Sequence, residues 1–315
     1  MKTAIVGLGV IGAVHNAVLN DMGITPVAMC DINKQKLDAY TCENKFADYI
    51  EMLNSTEIDV VHICTPHYLH ADMIIEALSR DINVLCEKPL CIKEEDIERI
   101  LQAEKNSKAI LGVCHQNRYN PENIFVKEYL KDKDNISGYG TVVWRRNAAY
   151  YAQDKWRGKW ATEGGGVLIN QALHTLDLLI WFCGQPSRVY SKIDNVSLKN
   201  VIEVEDTAFI KCSDGGEFTF YATNASVSDF PVFVKINSGE THISVEAGTV
   251  NINGKLQDFK NDYSVLGKKC YGTGHRALIK DFYDCVSGGK KFSVDGAEAA
   301  KVIKVILKVY KDNKL

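Results

Sequence analysis

The side chains of this chain best suited to handle protons and developing charge fall in two short stretches. Asn83-Val84-Leu85-Cys86 runs into Glu87-Lys88-Pro89, and further on Asn170, His174 and Asp177 recur at spacings of four and three. On a helix, that spacing puts three side chains on one face. Their neighbours, among them Val167, Leu168, Ile169, Leu173, Leu176 and Leu179, are apolar. The polar stripe must therefore be hydrogen-bonded or face a cavity, because an unpaired buried polar group costs about 1–3 kcal/mol. A structural core network would satisfy that rule, and so would a catalytic face. An ammonium can stabilise an oxygen that gains negative charge, and an imidazole titrates near neutral pH and can take the proton.

The element that would give such groups a reaction lies at the start of the chain. Thr3-Ala4-Ile5-Val6 leads into Gly7-Leu8-Gly9-Val10-Ile11-Gly12 and then into the helical pattern Ala13–Leu19. In a strand, turn and helix of this form the glycines allow a tight turn, close approach of a pyrophosphate and close helix packing. A second apolar run, Pro26–Cys30, ends in Asp31, nineteen residues past Gly12, where a carboxylate can accept from adenosine ribose hydroxyls. Asp31 would repel a 2'-phosphate and no arginine follows it directly, so NAD is expected rather than NADP.

Strand and helix patterns alternate through the first third: a charged helix near Asn33–Tyr40, a buried strand Asp59–Cys64, a helix His67–Arg80, the strand before Glu87, a helix Lys93–Asn106 and a strand Ile110–Cys114. Near-continuous apolar strands between helices predict a parallel sheet covered on both faces. Thr65-Pro66 and Lys88-Pro89 end strands on the carboxyl side, where such sheets bind ligands. The expected cofactor-binding residues are Gly7, Gly9, Val10, Ile11, Gly12, Asp31, Thr65, Pro66, His70, Glu87, Lys88 and Gln116.

From about Tyr139 the pattern changes to alternating segments such as Thr141–Trp144, Asp206–Ile210, Glu217–Tyr221 and Thr241–Val245, separated by Gly and Asn turns. These predict a largely antiparallel sheet with one face covered. Helices are expected at Val167–Phe182, His275–Val286 and Ala297–Lys311. A chain of 315 residues suits two domains, here an α/β domain over 1–120 and an α+β domain over 121–315.

With 46% hydrophobic and 24% charged residues and a formal charge of -3, the chain has the composition of a soluble globular protein and no basic balance for nucleic acid. No apolar stretch approaches the roughly 18 residues of a membrane span, and Met1 leads directly into the first strand. A cytoplasmic protein without nucleic-acid or membrane partners is expected. Of the ten cysteines, Cys30, Cys64, Cys86 and Cys114 lie in apolar runs and no CxxC pair occurs, so no metal site is expected.

The glycine loop, Glu87-Lys88-Pro89, the segment His115–Pro121 and Gly164-Gly165-Gly166 followed by His174 and Asp177 together resemble the Gfo/Idh/MocA oxidoreductases over nearly the whole chain. The resemblance implies a Rossmann domain followed by an open-faced sheet domain, with substrate held between that sheet and the nicotinamide. It implies that Lys88 is the catalytic lysine, that Pro89 follows a cis peptide, and that His174 is the acid/base histidine. Inositol dehydrogenase-like members carry an aspartate where this chain has Asn170, and an amide cannot act as a base.

The activity so implied is hydride transfer between nicotinamide and a secondary hydroxyl or ketone of a sugar, sugar derivative or cyclitol. Either His174 or Lys88 would accept the hydroxyl proton, with Asp177 orienting the imidazole and Glu87 holding Lys88. Substrate contacts are expected from Lys88, Arg118, Tyr119, Tyr150, Tyr151, Trp156, Arg157, Asn170 and His174. The aromatic members of that set fit sugar faces and also fit simple packing. Two other activities fit the same residues: glycoside cleavage by transient oxidation and elimination, and ligand sensing without catalysis. Relatives associate through the exposed sheet face, which implies a homodimer or homotetramer.

Overall fold

The computed structural model describes residues 1–260 and 273–313. In chain order its elements begin with β1 (Thr3–Val6), α1 (Val10–Asp21), β2 (Ala28–Cys30), α2 (Lys34–Asp38), β3 (Asn44–Phe46), α3 (Tyr49–Ser55), β4 (Val60–Ile63), α4 (His70–Leu78), β5 (Asn83–Cys86), α5 (Glu94–Asn106) and β6 (Leu111–Val113). After a 3-10 turn at Gln116–Tyr119 come α6 (Pro121–Tyr129), β7 (Ser137–Val143), α7 (Ala148–Tyr151), α8 (Leu173–Cys183) and β8 (Arg188–Asp194). The chain continues through β9 (Thr207–Ser213), β10 (Glu217–Thr223), β11 (Phe233–Ser238), β12 (Thr241–Glu246), β13 (Thr249–Ile252) and β14 (Lys255–Asp258), then α9 (Gly274–Gly288) and α10 (Gly296–Asp312).

The first compact unit comprises Met1–His115 and Asp262–Ala300. Its six strands form one sheet in the order β3-β2-β1-β4-β5-β6, with every pairing parallel. As the apolar runs predict, β1 and β4 are buried along their whole length. The register sets Val6 beside Ile63 and Ile63 beside Cys86. Ladder bonds continue past the strand ends, from Gly7 N–H to Cys30 O, Cys64 N–H to Val6 O and Glu87 N–H to Ile63 O. The glycine loop, Asp31, Thr65 and Lys88 thus all leave the sheet along its carboxyl edge.

The sequence reading passes over β3 and α3. β3 is a three-residue edge strand, Asn-Lys-Phe, that is not buried and so carries no apolar signal. The division of the chain also differs from a break at 120. α9 returns to the first sheet, where Phe282 and Phe292 stack edge to face at 5.4 Å. A Cβ on Gly112 of β6 would lie 2.7 Å from the Phe282 ring, so glycine at that position lets the two rings close over the strand.

The second unit comprises Gln116–Asn261 and Lys301–Leu315. Its eight-stranded sheet runs β14-β13-β12-β11-β7-β10-β9-β8 and is antiparallel except where β10 lies parallel to β7. β9 and β11 alternate buried and exposed positions, the period-2 pattern of a sheet covered on one face. α8 covers that face: Cβ atoms on Gly138 and Gly140 of β7 would fall within 3.0 Å of Leu179 side-chain atoms. Tyr139, Phe209 and Tyr190 remain exposed.

The helix expected over Val167–Phe182 begins later, at Leu173. The Glu205 carboxylate takes the N–H groups of Gly166 and Leu168, and Val167 N–H bonds Glu205 O. Residues up to Ala172 therefore form turns, and Asn170 precedes the helix that carries His174 and Asp177. A tertiary acceptor has replaced the first turn of helix that the apolar pattern suggested.

Candidate active site

In the first unit, Gly7 has φ of 87°, and a Cβ on Gly12 would lie 2.0 Å from Gly7 O. Only glycine at both positions lets α1 close onto the turn. A Cβ on Gly9 would meet nothing within 4 Å, and α1 starts after Gly9 with no side-chain cap. The first amides of α1 thus open onto free space at the positive end of the helix, the arrangement that receives a pyrophosphate. Val10 is exposed and Ile11 half-buried beside them. Asp31 Oδ2 accepts from Leu8 N–H at 2.7 Å and Oδ1 from Asn33 N–H at 2.8 Å. A carboxylate offers about four lone pairs, so Asp31 can shape the loop and still accept ribose hydroxyls. These residues fit a dinucleotide.

Thr65 and Pro66 follow β4, and the Lys88-Pro89 peptide after β5 is cis. His70 lies between the two strand ends, with Nδ1 2.7 Å from Pro89 O and Nε2 2.9 Å from Thr65 O, and in its neutral form it donates to one of the two. Its ring is fully buried, so it acts on a ligand only through the strand ends. Burial holds His70 below the usual imidazole pKa, against the two carbonyls. Glu87 is 5% exposed, and its Oε2 accepts from Lys88 N–H at 3.2 Å. Burial alone would raise its pKa, but hydrogen bonds from His15 and His275 outweigh it and keep the carboxyl well below the usual range.

In the second unit, His174 leads the first turn of α8 and its Nε2 lies 3.1 Å from Gln116 Nε2. An amide nitrogen only donates, so His174 Nε2 is an acceptor. Gln116, expected to meet the cofactor, thus sits on His174, and its buried Oε1 has no hydrogen-bond partner among the described residues. Arg118, expected to meet substrate, donates from Nε and Nη2 to the two oxygens of Asp177 at 2.8 and 2.6 Å. Both side chains are buried, at 4% and 1% exposure, and the guanidinium lies 5.3 Å from the Trp181 ring centre. Tyr119 ends the same 3-10 turn, half-buried.

Asn170 donates to Glu163, which also receives Gly158 N–H. Tyr150 accepts from Arg157 and from Gln171, and Tyr151 accepts from Asn224 at 3.1 Å. Arg157 stacks between Tyr150 and Trp156 and bonds Asp154 at 2.9 Å. Tyr151 packs with Ile202 and Val204 in a small core, the packing role that the aromatic pair equally allows.

Sequence reasoning missed Glu163, Gln171, Glu205, Asn224 and Tyr310. Only Glu163 carried a signal, a carboxylate set directly before three glycines. A Cβ on Gly165 would lie 2.1 Å from the Tyr310 hydroxyl, and that hydroxyl donates to Glu205 at 2.8 Å.

Burial pushes the Glu205 carboxyl up to about 7, against the three donors it receives. Between its ordinary value near 4.5 and about 7, the folded chain therefore holds a proton that the unfolded chain releases. Stability contributed by Glu205 falls as pH rises through that window, by roughly 3 kcal/mol in all. Glu104, in the first unit, is also raised to about 7 by burial and Asp295, so the test is a difference. Urea unfolding of Glu205→Gln should show a flatter pH dependence than wild type, and equal slopes would refute the assignment.

Residues 1–115 match the family model described as oxidoreductase family, NAD-binding Rossmann fold, and residues 137–250 match the GFO/IDH/MocA C-terminal domain. Inositol 2-dehydrogenase of Salmonella typhimurium is 34% identical over 138 residues, 41% of each chain. That match spans about two fifths of the relative's own length. Inositol 2-dehydrogenase of Rubrobacter xylanophilus is 26% identical over 264 residues, covering 80% of this chain and 71% of the relative. Among solved structures, the WlbA dehydrogenase of Chromobacterium violaceum, in complex with NADH and UDP-GlcNAcA, superimposes with a TM-score of 0.86 at 26% identity, covering 99% of this chain and 93% of that one. Two family domains in their usual order, on the fold just described, show that this chain belongs to the GFO/IDH/MocA family of oxidoreductases.

Proposed function

We propose that this protein is an NAD-dependent oxidoreductase that interconverts a secondary hydroxyl and a ketone on a sugar, sugar derivative or cyclitol. The observation that carries the reading is the shared carboxyl edge of the first sheet. There the uncapped amides after Gly9, the Asp31 carboxylate and Lys88 leave β1, β2 and β5 along one edge. The inositol dehydrogenases and the nucleotide-sugar complex among its relatives support the substrate class.

Bound along that edge, NAD supplies the hydride acceptor. Lys88 donates to the hydroxyl oxygen as it gains negative charge. His174 takes the hydroxyl proton at Nε2 when the hydroxyl displaces Gln116, which donates to that nitrogen in the structure; Lys88 is the other candidate for that proton. Asn170 cannot serve as the base, and its amide is committed to Glu163. The same reading carries a homodimer or homotetramer formed through the open face bearing Tyr139, Phe209 and Tyr190. Among the described residues no helix is long and apolar enough to cross a membrane, and the described cysteines are free thiols. The thiols fit the reducing cytoplasm.

The test follows nicotinamide absorbance with inositols, aldoses, anhydrosugars, glycosides and UDP-sugars. NAD should outperform NADP by about 10² in kcat/KM, because a 2'-phosphate would face Asp31. No net NADH with any substrate, together with cleavage of a glycoside by protein carrying NAD, would replace dehydrogenation with transient oxidation and elimination.

A further inference from the structure

Behind Glu87 runs a line of buried polar groups that the proposed chemistry does not use. Thr3 Oγ1 of β1 lies 2.8 Å from Tyr283 Oη of α9, and Tyr283 Oη lies 3.0 Å from His62 Nε2 of β4. His62 Nδ1 is 2.8 Å from His15 Nδ1 of α1, and His15 Nε2 is 3.0 Å from Glu87 Oε1. Thr3, His15 and His62 are wholly buried, with Tyr283 at 4% and Glu87 at 5% exposure. Bulk water is therefore kept from the line.

The chain has a direction. An ionised Glu87 only accepts, so His15 must carry its proton on Nε2. Burial, helped for His62 by its histidine neighbour, lowers the pKa of both His15 and His62, which keeps them neutral. A neutral imidazole with a proton on one nitrogen accepts at the other. His15 Nδ1 is then an acceptor, and His62 must donate from Nδ1. His62 Nε2 must in turn accept, and Tyr283 is the donor there. Thr3 adds a donor to Tyr283 Oη without changing what Tyr283 gives.

We propose that Tyr283 and His62 are positioning residues, which fix the His15 tautomer and so keep Glu87 an ionised acceptor holding the Lys88 backbone. The other groups facing Glu87 do not set that direction. His275 of α9 lies 3.3 Å from Oε1. The thiols of Cys64, Cys86 and Cys114, after β4, on β5 and after β6, stay protonated because burial raises their pKa well above the usual value. His70 lies near both Glu87 and Lys88, and burial lowers its pKa.

The tautomers follow from the hydrogen-bond geometry once Glu87 is ionised and both histidines are neutral, whereas the effect on turnover rests on the role assigned to Lys88. The measurement is nitrogen-15 NMR of histidine-labelled protein, followed by turnover against pH. Wild type should show His15 protonated on Nε2 and His62 on Nδ1, both neutral at neutral pH and above. Tyr283→Phe removes the donor to His62 Nε2, so the second His62 tautomer should appear. In that variant kcat should fall about 10-fold with little change in KM for NAD. Weaker ionisation of Glu87 should also change the pH profile of turnover. Thr3→Val also removes a buried hydroxyl, yet should leave tautomers and profile unchanged.

Wild-type His62 protonated on Nε2 overturns the proposal, and that result needs no variant to fold. Tautomers unmoved by Tyr283→Phe overturn it as well. Tautomers that move while the pH profile stays overturn the link to Lys88. Absence of any turnover would count against the dehydrogenase reading and leave the tautomers to decide this one. The ligand atoms of His15, Glu87 and His275 lie within 4.8 Å of one another. Stoichiometric zinc on the purified protein would also overturn the proposal, because a metal needs both Nε2 atoms unprotonated.

Discussion

Lys88→Met lowers kcat by about 10²–10³ and leaves the NAD dissociation constant within a few-fold of wild type, as expected for loss of one preorganised donor to a developing oxyanion. The two effects separate because cofactor binding draws on other groups, namely the amides after Gly9 and the carboxylate of Asp31. Methionine keeps much of the length of the lysine stem and removes its charge, so packing at the strand end changes little. The check is a pair of measurements on one preparation: NAD titration by protein fluorescence, and steady-state turnover on the substrate found with wild type. A variant that retains more than about a tenth of wild-type kcat would leave no room for Lys88 as the donor to the reacting oxygen. A variant that loses NAD binding in proportion to turnover would make Lys88 a cofactor ligand instead.

Asp177→Ala destabilises the second unit by about 3–5 kcal/mol, the usual cost of leaving one partner of a buried ion pair uncompensated. The pair qualifies because both side chains are buried and the guanidinium meets the carboxylate with two parallel hydrogen bonds. Such a loss is a large fraction of the 5–15 kcal/mol typical of folded proteins, so the variant should unfold at much lower urea. The double variant Asp177→Leu with Arg118→Met should recover most of the loss, because apolar groups of similar volume remove both charges together. If Asp177 instead serves mainly to orient His174, Asp177→Ala would cost under about 1 kcal/mol and depress kcat while the fold stays intact.

The glycine loop, Asp31 and Lys88 could be picked out as candidates because each is a local arrangement with a fixed place in a strand, turn and helix. The apolar strand runs likewise announce a covered parallel sheet. His174 was legible by residue type, and the structure adds that its Nε2 is an acceptor. The neighbouring residues were not legible in the same way. Arg118 and Asp177 stand 59 positions apart in the chain, and nothing local marks an arginine as the partner of that aspartate. His70 stands among the cofactor-binding candidates, and the sequence does not show that its ring lies between the carbonyls of two strand ends.

The segment before His174 shows the limit most clearly. Its apolar pattern is helical, yet Glu205, far along the chain, takes the amides that would begin the helix, so Asn170 falls before the helix and donates to Glu163. By itself the sequence determined the family, the two kinds of sheet and the residues able to do chemistry, because these depend on short-range periodicity, turn geometry and side-chain type. Tertiary structure alone decided which polar groups are used up holding the frame and which stay open to a ligand. Burial makes hydrogen-bond satisfaction a condition on the whole molecule, and partners brought together from distant strands and helices meet that condition only once the chain has folded.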